Sequence, residues 1–168
     1  MIVIRPVRVE EIPAVKRVIL TVAYNIFGFD GSLEDSLRHF EASREFKDMN
    51  DVQTNYFDAG GTFLVALDGE QVIGSGALRK VNASTAELKR MWLLEVYHGQ
   101  GIGYRLIQKL FEFARKHGYA RIRLQTSPEQ VGALDFYRKV GFYVIPSYNE
   151  DFREVSMEIK LSEGENPG

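Results

Sequence analysis

One junction restricts the fold of this chain more than any other. The apolar run Met91-Trp92-Leu93-Leu94 leads into His98-Gly99-Gln100-Gly101-Ile102-Gly103, and Tyr104 to Ala114 then places apolar residues at helical spacing. Strand, glycine turn and helix N-terminus in that order place a parallel crossover here, within the mixed α/β sheet that the whole order of elements indicates. The same junction suits a phosphate. Glycines let the main chain approach an anion, and the N–H groups of a helix's first turn have no partner within the helix. Two familiar nucleotide fingerprints are excluded by residue. Gly99, Gly101 and Gly103 alternate, whereas a dinucleotide site needs Gly-x-Gly-x-x-Gly. A P-loop ends in Gly-Lys-Ser/Thr, and here Gly103 precedes Tyr104-Arg105.

The surrounding pattern predicts the order βααβββαβαββ. Ile2 to Arg5 reads as a strand ended by Pro6. Between Val9 and Phe27, residues Ile12, Val15, Val18, Ile19, Val22 and Ala23 recur at helical spacing, with Pro13 tolerated in the first turn. Ser32-Leu33-Glu34-Asp35 reads as a capping box that opens a second helix to about Phe46. Residues 47–61 are polar and irregular, and a surface connection near a substrate entrance is expected there. Thr62 to Leu67 and Gln71 to Leu78 flank the hairpin turn Asp68-Gly69, and Ala86 to Leu94 is a further strand. The helix after the glycine turn is expected to end at His117-Gly118. Ile122 to Thr126 is a strand, Pro128 to Lys139 a helix stopped by Gly141, and Phe142 to Ile145 and Val155 to Leu161 complete the sheet. The result is a mixed α/β (α+β) sheet, mostly antiparallel, with a parallel crossover near the glycine turn and about four flanking helices. Residues 1–161 are expected to form a single domain and 162–168 a flexible tail.

The 168 residues are 45% hydrophobic and 26% charged with a formal net charge of −2. That supplies a hydrophobic core and no electrostatic case for nucleic acid. Cysteine is absent, which excludes disulfides, thiolate metal sites and a cysteine nucleophile. His39 and His117 have no ligand spacing with acidic residues, so no metal is expected. No apolar run approaches the ~20 residues of a bilayer span, and the N-terminus lacks the basic-then-apolar order of a signal peptide. The expectation is a cytoplasmic protein with neither membrane nor nucleic acid as partner.

From Ala86 to Phe142 the chain resembles the GNAT superfamily of N-acetyltransferases. The family's Arg/Gln-x-x-Gly-x-Gly/Ala is matched by His98-x-x-Gly101-x-Gly103, with histidine at the first position. A second block, an alanine followed by an aromatic-Tyr pair and then Gly-Phe, is matched in register by Ala133, Phe136-Tyr137 and Gly141-Phe142. The asparagine that often lies three residues before that alanine is Gln130 here, which can still donate a hydrogen bond. The resemblance implies the GNAT fold and acetyl-CoA as cosubstrate. It places the pyrophosphate on main-chain N–H groups of Gly99, Gln100, Gly101, Ile102, Gly103 and Tyr104. His98 reads either as a further diphosphate contact or as a solvent-facing turn histidine. It also implies a bulged or splayed strand at Met91 to Leu94, whose freed backbone pairs with the pantetheine arm. Met91 or Leu93 would then supply the N–H that polarises the acetyl carbonyl.

Acetylating an amine requires it to be neutral. At a pKa near ~10.4, roughly one lysine-like amine in a thousand is ready to attack at neutral pH. The resemblance puts Glu87, eleven residues before His98, where some family members carry a base acting through water. Read alone, Glu87 is equally a strand glutamate paired with Lys89 or an arginine. Tyr137 matches the family tyrosine that protonates the departing CoA thiolate; read alone, it is a core aromatic of its helix. The Ser and Asp residues form no nucleophile arrangement, which favours direct transfer over an acyl-enzyme. Arg121 and Arg123 read as surface charges, and Trp92 as core or substrate wall. The implied acceptor is the primary amine of a small metabolite or amino acid, walled by residues from about Tyr24 to Tyr56. Acids there, Asp30, Glu34 and Asp48 among them, read as attracting an ammonium group, and a solvated helix face explains Glu34, Asp35, Glu41 and Glu45 equally well. A peptide or protein amine is the alternative acceptor, a CoA-binding sensor module is the alternative class, and the resemblance allows a homodimer.

Overall fold

The computed structural model describes residues 1–150 and 153–161; the tail expected at 162–168 lies outside the described residues. Strands β1 (Ile2–Pro6), β2 (Thr62–Asp68), β3 (Gln71–Lys80), β4 (Thr85–Leu93), β5 (Arg121–Thr126), β6 (Tyr143–Ile145) and β7 (Val155–Lys160) form one sheet. Their order is β1-β2-β3-β4-β5-β7-β6. The helices are α1 (Ile12–Phe27), α2 (Leu33–Ala42), α3 (Val52–Asn55), α4 (Ile102–Lys116) and α5 (Val131–Val140). Every neighbouring pair of strands is antiparallel except β4 and β5, which run parallel with Thr85–Glu87 against Arg121–Arg123. The mixed sheet with one parallel crossover is thus the arrangement that forms.

Two core layers sandwich the sheet. Phe63, Val65 and Leu67 of β2 enter one layer with Val15, Val18 and Ile19 of α1. Leu64 and Ala66 of the same strand enter the other, with Leu106, Ile107 and Leu110 of α4. A strand covered on both faces reads as a continuous apolar run, which is why β2 shows no polar alternation. Each such aliphatic side chain contributes about 1.5–3 kcal/mol on burial. Helix α5 adds Leu134 and Tyr137 to the α4 layer beside Phe142.

Element ends depart from the sequence pattern at three places. Helix α2 stops at Ala42 because Ser43 adopts an extended backbone and its Oγ donates to the Phe40 carbonyl at 2.9 Å. That turn sends Phe46 inward, where it is buried. The capping box at the start of α2 forms, with Asp35 N–H on Ser32 Oγ at 3.1 Å and Ser32 N–H on Asp35 Oδ2 at 3.4 Å. Helix α5 begins at Val131, after a turn in which Gln130 N–H donates to the Ser127 carbonyl at 3.1 Å. The largest correction concerns residues 47–61. Two 3-10 turns (Lys47–Asp51 and Phe57–Ala59) and α3 fold this segment against the sheet, and Met49, Val52 and Tyr56 are buried in the α1 layer. Their helical spacing is interrupted by polar residues that face solvent, so the apolar period is diluted in the sequence. Among the described residues no helix is long and apolar enough to cross a membrane.

Met49, at 1% exposure, tests that correction. Met49→Ala should lower the unfolding free energy by about 2–5 kcal/mol, measured by urea denaturation. A side chain in a surface connection would change it by no more than about 0.5 kcal/mol.

Candidate active site

Strands β4 and β5 pair at only three positions and then part. β5 continues along β7 from Arg121 to Thr126, while β4 stays with β3. Across Gly76, β4 carries one extra residue: Ser75 faces Trp92, whereas Ala77 faces Lys89. Arg90 lies in this bulge at φ +55°, the sole non-glycine residue with positive φ among those described. Such a conformation costs about 1–3 kcal/mol and persists only when its surroundings hold it. Here Ser75 Oγ donates to the Arg90 carbonyl at 2.6 Å. The guanidinium donates from Nη2 to Asp48 Oδ1 at 2.5 Å, from Nε to Asp48 Oδ2 at 3.1 Å, and from Nη2 to the Glu45 carbonyl at 2.5 Å. Tyr56 Oη donates to Asp48 Oδ2 at 2.5 Å. Burial pushes the Asp48 carboxyl up, but the bonds and charge of Arg90 and the Tyr56 hydroxyl outweigh it and hold the group below its ordinary value. Arg90 and Ser75 carry no motif. The available signal was Gly74-Ser75-Gly76 inside a strand, since glycine there marks a bulge or a close approach. A Cβ at Gly76 would lie 3.0 Å from Met91 Sδ.

On the α4 side the divergence opens a cleft of about 1010 Å³. Met91, Leu93, His98, Gly99, Gly101, Ile102, Gly103, Tyr104 and Gln130 all line it; Gln100 does not. Leu94 N–H donates to the Ile73 carbonyl at 2.9 Å. Because N–H directions alternate along a strand, Leu93 N–H points to the opposite edge, where β5 has departed. Gly99 and Gly101 both have φ +78°, and a Cβ at either would meet only open space. The first bond into α4 runs from Arg105 N–H to the Gly101 carbonyl at 3.0 Å. The N–H groups of Ile102, Gly103 and Tyr104 are therefore left without a helical acceptor. His98 lines the cleft and is also bonded within the turn. Its Nε2 lies 3.0 Å from the Leu93 carbonyl and its N–H donates to the Glu95 carbonyl at 3.0 Å, so the residue ties the turn to the end of β4.

The other face of the sheet holds a second cleft of about 770 Å³, between residues 44–56 and strands β3 to β5. The two clefts share four wall residues: Met91, Trp92, Gln130 and Tyr137. Tyr137 is 6% exposed, and burial pushes its hydroxyl well above the ordinary tyrosine range, so it holds its proton. Trp92 is a shared wall as well as a partner of the α1 layer.

Glu87 lies beneath this second cleft and forms none of its wall. Arg79 Nε donates to its Oε1 and Tyr148 Oη to its Oε2, each at 2.7 Å. Burial pushes the carboxyl up, but the bonds from Tyr148 and Arg79 and the charges of Arg79 and Lys89 bring it below its ordinary value. Both oxygens are engaged, and the pairing with Arg79 is the arginine contact that the strand position allowed. Sequence reasoning also missed Tyr148, which is 61 residues away along the chain. Arg121 pairs with Glu158 at 3.5 Å near the surface, as expected of a surface charge. Arg123 is not one: its guanidinium stacks 3.9 Å from the Tyr148 ring centroid, and its buried Nε has no hydrogen-bond partner among the described residues.

Residues 30–142 match the model of the Acetyltransferase (GNAT) family. N-acetyltransferase 8F1 of Rattus norvegicus is 36% identical over 100 residues, which cover 56% of this chain and 45% of that protein. The chain spans about half the length of the curated relatives it matches. A GNAT-family acetyltransferase from Staphylococcus aureus Mu50 superposes with a TM-score of 0.82 at 21% identity, covering 96% of this chain and 99% of that one. The PaiA N-acetyltransferase of Thermoplasma acidophilum, solved in complex with coenzyme A, gives 0.78 at 23% identity over 95% and 99%. These superpositions establish a shared fold.

Replacing Asp48 tests the anchor of the bulge. Asp48→Asn leaves the half-buried Arg90 guanidinium without its counter-charge, a loss smaller than the ~3–5 kcal/mol of a fully buried pair. The Asp48 carboxyl titrates lower in the folded chain than in the unfolded one. Its contribution is therefore complete above the unfolded value near ~3.9 and is lost as pH falls through the folded value. Urea unfolding across acidic pH should show wild-type stability rising with pH in that window, and Asp48→Asn losing this residue's share of the slope.

Proposed function

The chain belongs to the Acetyltransferase (GNAT) family, and on that premise we propose that it transfers acetyl from acetyl-CoA directly to the primary amine of a small metabolite or amino acid. The observation that carries this reading is the meeting of the two clefts at Met91, Trp92, Gln130 and Tyr137. A donor held on one face of the sheet and an acceptor on the other would make contact there.

The α4-side cleft fits the donor. Its size, its two glycines with unobstructed left-handed backbone, and the helix N–H groups without acceptors suit a pyrophosphate held by main chain. Gly99, Gly101, Ile102, Gly103 and Tyr104 would hold it, with Gln100 limited to a main-chain contribution. Leu93 and Met91 offer backbone to the pantetheine arm, and one of their N–H groups polarises the acetyl carbonyl. Gln130, in the wall of both clefts, would offer its amide at the junction. His98 acts indirectly, by fixing the Leu93 carbonyl. Acetyl-CoA itself supplies a thioester-activated acetyl group and a thiolate leaving group.

Tyr137 is the general acid. Its buried, protonated hydroxyl delivers a proton to the departing thiolate sulfur. Glu87 is read as a positioning residue that fixes Arg79 and Tyr148 beneath the acceptor, while the acceptor's proton passes to water. Tyr137→Phe should reduce kcat by about 10²-fold or more, with acetyl-CoA affinity, measured by calorimetry, little changed. Glu87→Gln should leave the acidic limb of the pH–rate profile in place; loss of that limb would restore Glu87 as the base. A thiol-release assay with acetyl-CoA and an amine panel tests the activity itself. Binding of acetyl-CoA with no thiol released from any amine would replace this reading with that of a CoA-binding module.

A further inference from the structure

The acceptor cleft is cationic in a chain that is not. Arg44, Lys47, Arg79, Lys89 and Arg90 line it against two carboxylates, Glu45 and Asp48, while the whole chain has a net charge of −2. Internal pairing leaves the excess in place. Asp48 is matched by Arg90, and Arg79 by Glu87 below the floor. Arg44, Lys47 and Lys89 make no salt bridge among the described residues; Glu45 opposes them in the wall, and Glu87, already bonded to Arg79, feels the charge of Lys89 from below.

Of the acids between Tyr24 and Tyr56, Glu34, Asp35, Glu41 and Asp48 are already engaged, and Asp30 is not among the residues lining this cleft. Glu34 pairs with Arg17 at 2.8 Å, and Glu41 with Lys16 at 3.1 Å. Asp35 caps α2 and bonds Arg38. Asp48 is occupied by Arg90 and Tyr56. Beside the floor, Arg123 Nε is one more donor lacking a partner among the described residues. A polycationic acceptor would meet like charge in this recess. An acceptor carrying an anion would meet opposite charge, and a concave wall of one sign concentrates the field on it.

We propose that the acceptor is an amine that also bears a carboxylate. Its amine is directed to the junction at Met91 and Tyr137, and its carboxylate is received by half-buried Lys89 with the exposed Arg44 and Lys47. This inference rests on the acetyl-transfer reading given above.

Matched acceptors test it. A set of L-amino acids is assayed, each beside its own amide and its decarboxylated amine, with spermidine as the cationic extreme. Rates are compared at equal concentrations of neutral amine, so that differences in amine basicity do not enter. Each acid should exceed its amide in kcat/KM by at least about tenfold, as expected for a charged hydrogen bond, and the advantage should shrink in high salt. Lys89→Glu should abolish that preference and Lys89→Arg keep it, while acetyl-CoA still raises the melting temperature of both. Amides or spermidine acetylated as well as the acids would overturn this inference and leave acetyl transfer standing. Failure of every amine to release thiol would overturn both.

Discussion

The parting of β4 from β5 is the constraint on which the rest of the site depends. Paired strands use their edge N–H and C=O groups on each other, and continued pairing past Glu87 and Arg123 would consume the β4 edge and close the space between the strands. Divergence is favoured from both sides. β5 is drawn along β7 for its full length, and β4 is turned by the bulge opposite Gly76. The bulge in turn requires Arg90 in a strained backbone conformation, which the Asp48 carboxylate, the Glu45 carbonyl and the Ser75 hydroxyl hold in place. A pair between residues 42 positions apart thus sustains an opening in the sheet.

The opening gives the two faces of one strand different physical characters. Toward α4 the wall offers main-chain donors and glycines, suited to a ligand recognised by its phosphates and amides. Toward residues 44–56 it offers charged side chains held in ion pairs or facing the cleft. Tyr137 belongs to both walls, and its burial keeps a proton where the two meet. Because the anchor Asp48 lines one cleft and Met91, next to the bulge, lines both, the two sides share one structural element.

Elements dominated by periodicity were legible in the sequence. The α4 face, the Asp68-Gly69 hairpin and the Ser32 capping box all form as their local chemistry requires, because each depends on residues within a few positions of one another. The α3 segment was hidden because Met49, Val52 and Tyr56 are dispersed among polar residues, and only contact with the sheet shows that they share a face. Glu87 illustrates the same limit at the site. Its position on β4 was legible, but its basicity is set by Arg79 and Tyr148, and Tyr148 arrives from a distant loop.

By itself the sequence determined the order of elements, the glycine turn at the start of α4 and the residues that resemble the acetyltransferase pattern. These follow from local preferences: side-chain period, turn conformation and capping. Only the tertiary structure decided which of those residues are already partnered. His98 is bonded to the Leu93 carbonyl, Glu87 accepts from Arg79 and Tyr148, and in the cleft beside residues 44–56 five cations line the wall against two acids, while Glu34 and Glu41 pair outside it. Hydrogen-bond and charge pairing are resolved by distance in space, and separation along the chain does not reveal that distance.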